Sequence, residues 1–133
     1  MSENSAVRSY LVSSLQKLDA FPVENPICPG TPDVYCLRGW IEAKYLPGWP
    51  KRPKTPVRIP HYTPEQRRWA ERHESRGGRV WLVVAVRYRD WMVFRGAESR
   101  EKVGYITQQE MLDLALYRWP KRPLAEQLLE VFQ

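Results

Sequence analysis

Asp33, Glu42 and Lys44 are the residues whose types and spacing could do chemistry. They fall in two short alternating runs, residues 33–37 and 40–44, joined at Arg38-Gly39, and a glycine-containing pair between apolar runs predicts a β-hairpin. Glu42 and Lys44 are two apart, so they share one strand face about 6–7 Å from each other, while Ile41 and Ala43 point the other way. A carboxylate at the start of one strand and another in its neighbour can converge across a twisted pair. Two carboxylates beside a lysine suit a hard divalent ion such as Mg²⁺, which keeps several of its waters. A plainer account is also open: Asp33 caps a turn, and Glu42 and Lys44 are the solvated face of an antiparallel strand.

These residues need other elements to hold them. Thr63-Pro64-Glu65-Gln66 opens a long helix, with Thr63 as N-cap, Pro64 at the first helical position and Gln66 completing a capping box. Gln66, Trp69, Ala70 and His73 form a stripe facing the sheet, with Arg67, Arg68, Glu71, Glu74 and Arg76 on the outer face. Gln66 thus reads either as a cap or as a group reaching the site, and His73 reads as packed. Gly77-Gly78 ends the helix. Residues 80–86 are a continuous apolar run, expected for a strand covered on both faces. Tyr88-Arg89-Asp90 turns the chain into a strand at 91–94. A first helix is expected over residues 5–18, where Val7, Tyr10, Leu11, Leu15 and Leu18 share a stripe behind Ser2, Asn4 or Ser5 as N-cap. A strand over 21–27 follows. Thr107-Gln108-Gln109-Glu110 starts a helix to about Tyr117, and residues 123–132 read as a last amphipathic helix.

Pro32-Asp33, eight residues, then Glu42-Ala43-Lys44 resembles the PD-(D/E)xK nuclease signature. Gln66 on the following helix, and the run Gly77-Gly78-Arg79-Val80-Trp81-Leu82-Val83 after it, resemble the VRR-NUC and Holliday-junction-resolvase branch, over about residues 23–86. The resemblance implies an α/β fold with a restriction-endonuclease-like core, a mixed central sheet flanked by helices in the order α-β-β-β-α-β. One domain is expected, with its core at about residues 5–95 and a C-terminal helical extension at about 98–133. The resemblance also implies that Asp33 and Glu42, helped by the Ala43 carbonyl, hold Mg²⁺ or Mn²⁺. Lys44 would orient or deprotonate the attacking water, Gln66 would assist, and the product would carry a 5′-phosphate. Many nucleases of this fold add an acid from the first helix; Glu3, at or before the start of that helix, is one candidate, though it also reads as a terminal charge suited to the helix dipole, and Glu24 in the 21–27 strand is the other. The implied activity is a metal-dependent DNA endonuclease, selective for branched DNA such as a Holliday junction, with a two-fold homodimer to make symmetric incisions. Two alternatives stand beside it. One is a non-catalytic nucleic-acid-binding module on a nuclease-like fold; the other is a protein-interaction factor using the proline-rich loop as a polyproline ligand, which needs neither carboxylates nor metal.

Charge agrees with a polyanionic substrate. The net charge is +6, and residues 38–89 hold 13 basic against 4 acidic residues, a local +9. Such a field steers phosphate and supplies non-specific affinity; a solubility face would look the same. Residues 45–60 contain five prolines, which forbid a helix or a central strand and predict a stiff extended loop. Its Lys51, Arg52, Lys54 and Arg58 could track a phosphate backbone and its Trp49 could stack on a base, with Arg67 as a further DNA contact. Trp-Pro-Lys-Arg-Pro occurs at 49–53 and again at 119–123, where it reads as either a rigid nucleic-acid contact or a helix-entry turn. Cys28, Cys36, His61 and His73 lack zinc-ligand spacing, and both cysteines are expected to be buried. With no signal peptide or membrane-length apolar run, a cytoplasmic protein is expected, with a virus or prophage as one compatible source.

Overall fold

The computed structural model describes residues 3–87 and 89–133, so the candidate cap Ser2 and the turn residue Tyr88 lie outside the described residues. Six strands form one sheet in chain order: β1 (Phe21–Pro22), β2 (Val34–Cys36), β3 (Gly39–Leu46), β4 (Val80–Val86), β5 (Trp91–Arg95) and β6 (Tyr117–Trp119). Every neighbouring pair is antiparallel except β3 and β4, which run parallel because α2 (Pro64–Ser75) lies in the crossover between them. With α1 (Glu3–Ser14) ahead of β1, the chain is α/β with a mixed sheet.

The sheet separates two cores. On one face α1, the residue Leu15 after it and α5 (Ala125–Phe132) bring Val7, Leu11, Leu15, Leu128 and Phe132 against Ile41, Ala43, Val83 and Val93. On the other, Leu82, Val84, Met92 and Phe94 meet Val57 of the proline-rich loop, Val103 after α3 (Ala97–Lys102) and Met111 of α4 (Gln108–Leu114). Alternate residues of β4 serve opposite faces, and all of them are buried, as a strand covered on both sides requires.

Several elements differ from the sequence expectation. The first helix stops at Ser14, and a 3-10 turn at Gln16–Leu18 ends on Asp19 in the left-handed region at φ 55°. The strand expected over 21–27 shrinks to two residues, because Pro22 and Pro26 lack the N–H a ladder needs; Ile27 is 86% exposed. The hairpin turn is Leu37-Arg38, one residue earlier than expected, since Gly39 already pairs with Cys36. The C-terminal part is not a purely helical extension. The helix expected to reach Tyr117 ends at Leu114, and the Leu116 N–H bonds to the Val93 carbonyl at 2.8 Å to start β6. Cys36 is buried as expected, but Cys28 is exposed.

Candidate active site

β2 is shorter than β3, and that mismatch builds the site. The β2–β3 ladder begins at Val34 opposite Ile41, whereas β3 continues to Leu46 along β4. Asp33, just before β2, gives its carbonyl to the Val23 N–H at 2.8 Å, and its Oδ2 accepts the Ala43 N–H at 3.0 Å. A side chain thus occupies the edge of β3 where a backbone partner would otherwise be. The carbonyl of Ala43 shares that strand edge with its N–H, so it faces the same gap.

Glu42 and Lys44 project from the face opposite Ile41 and Ala43, as their spacing predicts, and are 4% and 3% exposed. Lys44 Nζ lies 3.6 Å from Glu42 Oε2, an ion-pair distance too long for a hydrogen bond, and donates instead to the His61 carbonyl at 2.8 Å. Both Glu42 oxygens are therefore buried without a hydrogen-bond partner. Burial first, and then the neighbouring Asp33, push the Glu42 carboxyl well above the ordinary range, and the Lys44 charge offsets only part of this. An orphaned buried carboxylate needs an explanation. A divalent cation supplies one: Glu42, Asp33 and the Ala43 carbonyl are all oxygen donors. Two carboxylates and a carbonyl are a donor set of the kind Mg²⁺ takes, since it binds through one or two carboxylates and keeps several waters.

Beside Glu42 is a cavity of about 20 Å³, room for about one water, whose lining includes Pro32, Tyr62, Gln66 and Arg100. Asp33 and Lys44 do not line it. Gln66 accepts the Thr63 N–H at 3.0 Å while its own N–H donates to Thr63 Oγ1 at 3.2 Å, so the expected capping box forms. The cap uses the side-chain oxygen, which leaves the amide NH₂ for the cavity. Gln66→Glu is accordingly expected to keep the cap and a melting temperature near wild type while lowering turnover strongly, because a carboxylate then faces Glu42. Full activity in that variant would make Gln66 a cap only.

Gly30 sets how closely the two parts approach. At φ 90° it sits so near the start of α2 that a Cβ would lie 2.3 Å from the Glu65 carbonyl oxygen. Gly30→Ala combines a left-handed non-glycine with a backbone clash, so a loss of about 2–5 kcal/mol is expected in urea unfolding. A loss below about 0.5 kcal/mol, within the range of a neutral surface change, would show that this approach does not matter.

No family model, curated protein or solved structure matches the chain.

The remaining candidates fall elsewhere. Glu3 is exposed at the start of α1 and lines a cavity with Tyr10, Tyr45 and Trp91, whose neighbours belong to the core on the opposite sheet face from Glu42. Glu24 is exposed in the irregular segment after β1. Arg67 is not on the outer face of α2: its guanidinium lies 3.9 Å over the Tyr62 ring and donates to the Arg100 carbonyl. Glu74 also turns inward, pairing with Arg95 and Arg100. Trp49 is half-buried, with its Nε1 donating to Asp90 at 2.6 Å, so it anchors the proline-rich loop and is not poised for a base. Val57 and Ile59 anchor the other end, leaving Lys51, Arg52, Lys54 and Arg58 exposed. The second Trp-Pro-Lys-Arg-Pro copy enters α5: Arg122 covers the Tyr10 ring at 4.2 Å, and the Pro123 carbonyl accepts the Tyr10 hydroxyl at 2.6 Å. His73 packs as expected, stacked on Trp69.

Sequence reasoning missed Tyr62 and Arg100. Burial pushes the Tyr62 phenol up to about 12, so it stays a neutral donor beside Glu42. Arg100 rides on α3, for which the helix-compatible Glu98–Lys102 spacing was the available signal.

Proposed function

We propose that the protein is a metal-dependent DNA endonuclease with a restriction-endonuclease-like core. The observation that carries this reading is the Glu42 carboxylate, buried with both oxygens unpartnered beside Asp33 and the open edge of β3 at Ala43. Asp33, Glu42 and the Ala43 carbonyl hold Mg²⁺ or Mn²⁺. When bound, the metal lowers the pKa of its water and polarises a phosphoryl oxygen. Lys44 offsets phosphate charge and orients the water, and Tyr62 and the Gln66 amide offer donors on the cavity side. The product carries a 5′-phosphate. Lys44 is steadied by its bond to the His61 carbonyl at 2.8 Å, which uses one of the three ammonium donors and leaves the others for phosphate or water. The exposed loop cations bind flanking backbone. Symmetric incision of a junction requires a two-fold dimer, which sedimentation with and without DNA would detect.

One observation favours a second reading, a non-catalytic nucleic-acid-binding module. Glu42 and Lys44 are closed from solvent, and the Lys44 ammonium is held by the His61 carbonyl. A cleavage panel of linear, flapped and four-way-junction DNA, with and without Mg²⁺ or Mn²⁺, separates the two. Metal-dependent cutting lost in Asp33→Asn supports the nuclease; binding without cutting under every condition supports the module. Among the described residues no helix is long and apolar enough to cross a membrane.

A further inference from the structure

A chain of ring contacts crosses the sheet face that carries Glu42. Phe21 leans on Tyr35 with centroids 4.9 Å apart, Tyr35 meets Trp40 edge-on at 5.3 Å, and Trp40 meets Trp69 of α2 at 5.3 Å. Trp69 stacks on His73 at 4.6 Å and 17°. The register explains the strand members, since Phe21 lies opposite Tyr35 and Tyr35 opposite Trp40. None of these rings belongs to either hydrophobic core, and none is fully buried; Phe21 is 48% exposed. Core packing therefore does not account for this contiguous aromatic surface.

Its border is cationic. Arg38 occupies the hairpin turn, and the carbonyl of Arg79 accepts the Trp40 N–H at 2.9 Å. Arg72 and Arg76 follow Trp69 by three and seven positions, on its side of the helix. All four are exposed, and among the described residues none forms an ion pair. Glu65, the acid on that side of α2, is paired with Arg68 at 3.4 Å. Trp40 is two residues from the candidate metal ligand Glu42, about 6–7 Å along β3 and on the same face, and Tyr35 is two residues from Asp33.

We propose that this aromatic ribbon and its arginine rim bind single-stranded nucleic acid, the rings stacking on unpaired bases while the arginines hold the phosphates. Aromatic faces accept any base, so the binding is indifferent to sequence and sensitive to pairing. Its consequence for substrate choice rests on the nuclease reading above: DNA with unpaired bases beside the scissile phosphate, such as a flap or overhang, is preferred over blunt duplex.

The test compares a labelled single strand, an abasic strand of equal length and a blunt duplex by fluorescence anisotropy in EDTA, where nothing is cut. The intact strand is expected to bind about 5- to 100-fold more tightly than the abasic one. Phe21→Ala and Trp69→Ala should narrow that ratio, Trp69→Phe should retain most of it, and Arg72→Ser with Arg76→Ser should weaken both strands alike. Phe21 is exposed enough that its loss leaves the fold intact, which a melting curve checks. Equal affinity for intact and abasic strands, or an unchanged ratio in Phe21→Ala and Trp69→Ala, overturns the proposal. Metal-dependent cleavage is scored separately. Base-dependent binding without cleavage in any metal upholds the ribbon and sinks the nuclease; cleavage with equal intact and abasic binding overturns the ribbon alone.

Discussion

Glu42→Gln is expected to abolish metal-dependent cleavage and to flatten the dependence of stability on pH. The folded protein holds the Glu42 proton well above the ordinary value of 4.5, chiefly because the carboxyl is buried. Below that value both folded and unfolded states are protonated, and the group's contribution to stability is complete. As pH rises from there toward the folded value, the unfolded chain ionises while the folded one does not, so stability is progressively lost. Glutamine is close to isosteric with the protonated acid and does not titrate. Its advantage over wild type should therefore be near zero at low pH and grow by up to about 1.4 kcal/mol per pH unit across that window. The bond from Lys44 to the His61 carbonyl does not involve Glu42, so it is expected to survive the substitution and to limit the cost of removing the acid. Mg²⁺ should reverse the order. At a hundred times its Kd a ligand stabilises the state that binds it by about 2.7 kcal/mol, and only wild type can gain this. Asp33→Asn should also lose at least about a hundredfold in rate, since metal assistance supplies several kcal/mol to the transition state. DNA affinity should be retained in Glu42→Gln, where a neutral amide replaces a protonated acid, and retained or slightly raised in Asp33→Asn, which removes a negative charge near phosphate. Urea unfolding from acidic to neutral pH, with and without Mg²⁺, and single-turnover cleavage are the measurements. Activity persisting in both variants at saturating Mg²⁺ would remove this hairpin from consideration as the active site.

Replacing Lys51, Arg52, Lys54 and Arg58 together by Ser should weaken DNA binding across all sequences while leaving the saturating cleavage rate nearly unchanged. All four are exposed, and the segment carrying them is pinned on either side, by Trp49 on Asp90 and by buried Val57 and Ile59, with Val57 bonded to the Ile106 carbonyl at 2.7 Å. The tip is thus a fixed projection whose charges can meet flanking duplex without disturbing β3. Each phosphate neutralised contributes about −0.9 to the slope of log K against log salt, so the slope should flatten by roughly two to four units. Titrations at several salt concentrations read this directly. An unchanged slope would make the loop a passive insertion, and a collapsed saturating rate would place it in the catalytic machinery.

Much of the site's local grammar was legible in the residues. Period-two alternation placed Glu42 and Lys44 on one face and Ile41 and Ala43 on the other, and Thr63-Pro64-Glu65-Gln66 specified a helix start that forms with both capping-box bonds. The unbroken apolar run at 80–86 required a strand covered twice, and it is buried throughout. Strand alternation, the helix start and the apolar run are written in residues within a few positions of one another, so the sequence alone determines them. Tertiary structure decided the rest, because each remaining feature depends on a partner far along the chain. Tyr117–Trp119 became a strand since the free edge of β5 offered hydrogen bonds that a continued α4 could not. Arg67 turned inward because Tyr62 and the Arg100 carbonyl were there to receive it, and Trp49 became an anchor because Asp90 was within reach. Asp33 met Ala43 only because β2 gives out before β3 does, which the hairpin pattern does not state. Nor could spacing foretell that the Glu42 carboxylate would be closed from water without a hydrogen-bond donor: burial is a property of what packs over a residue, and here that is the loop and α2, brought together by Gly30.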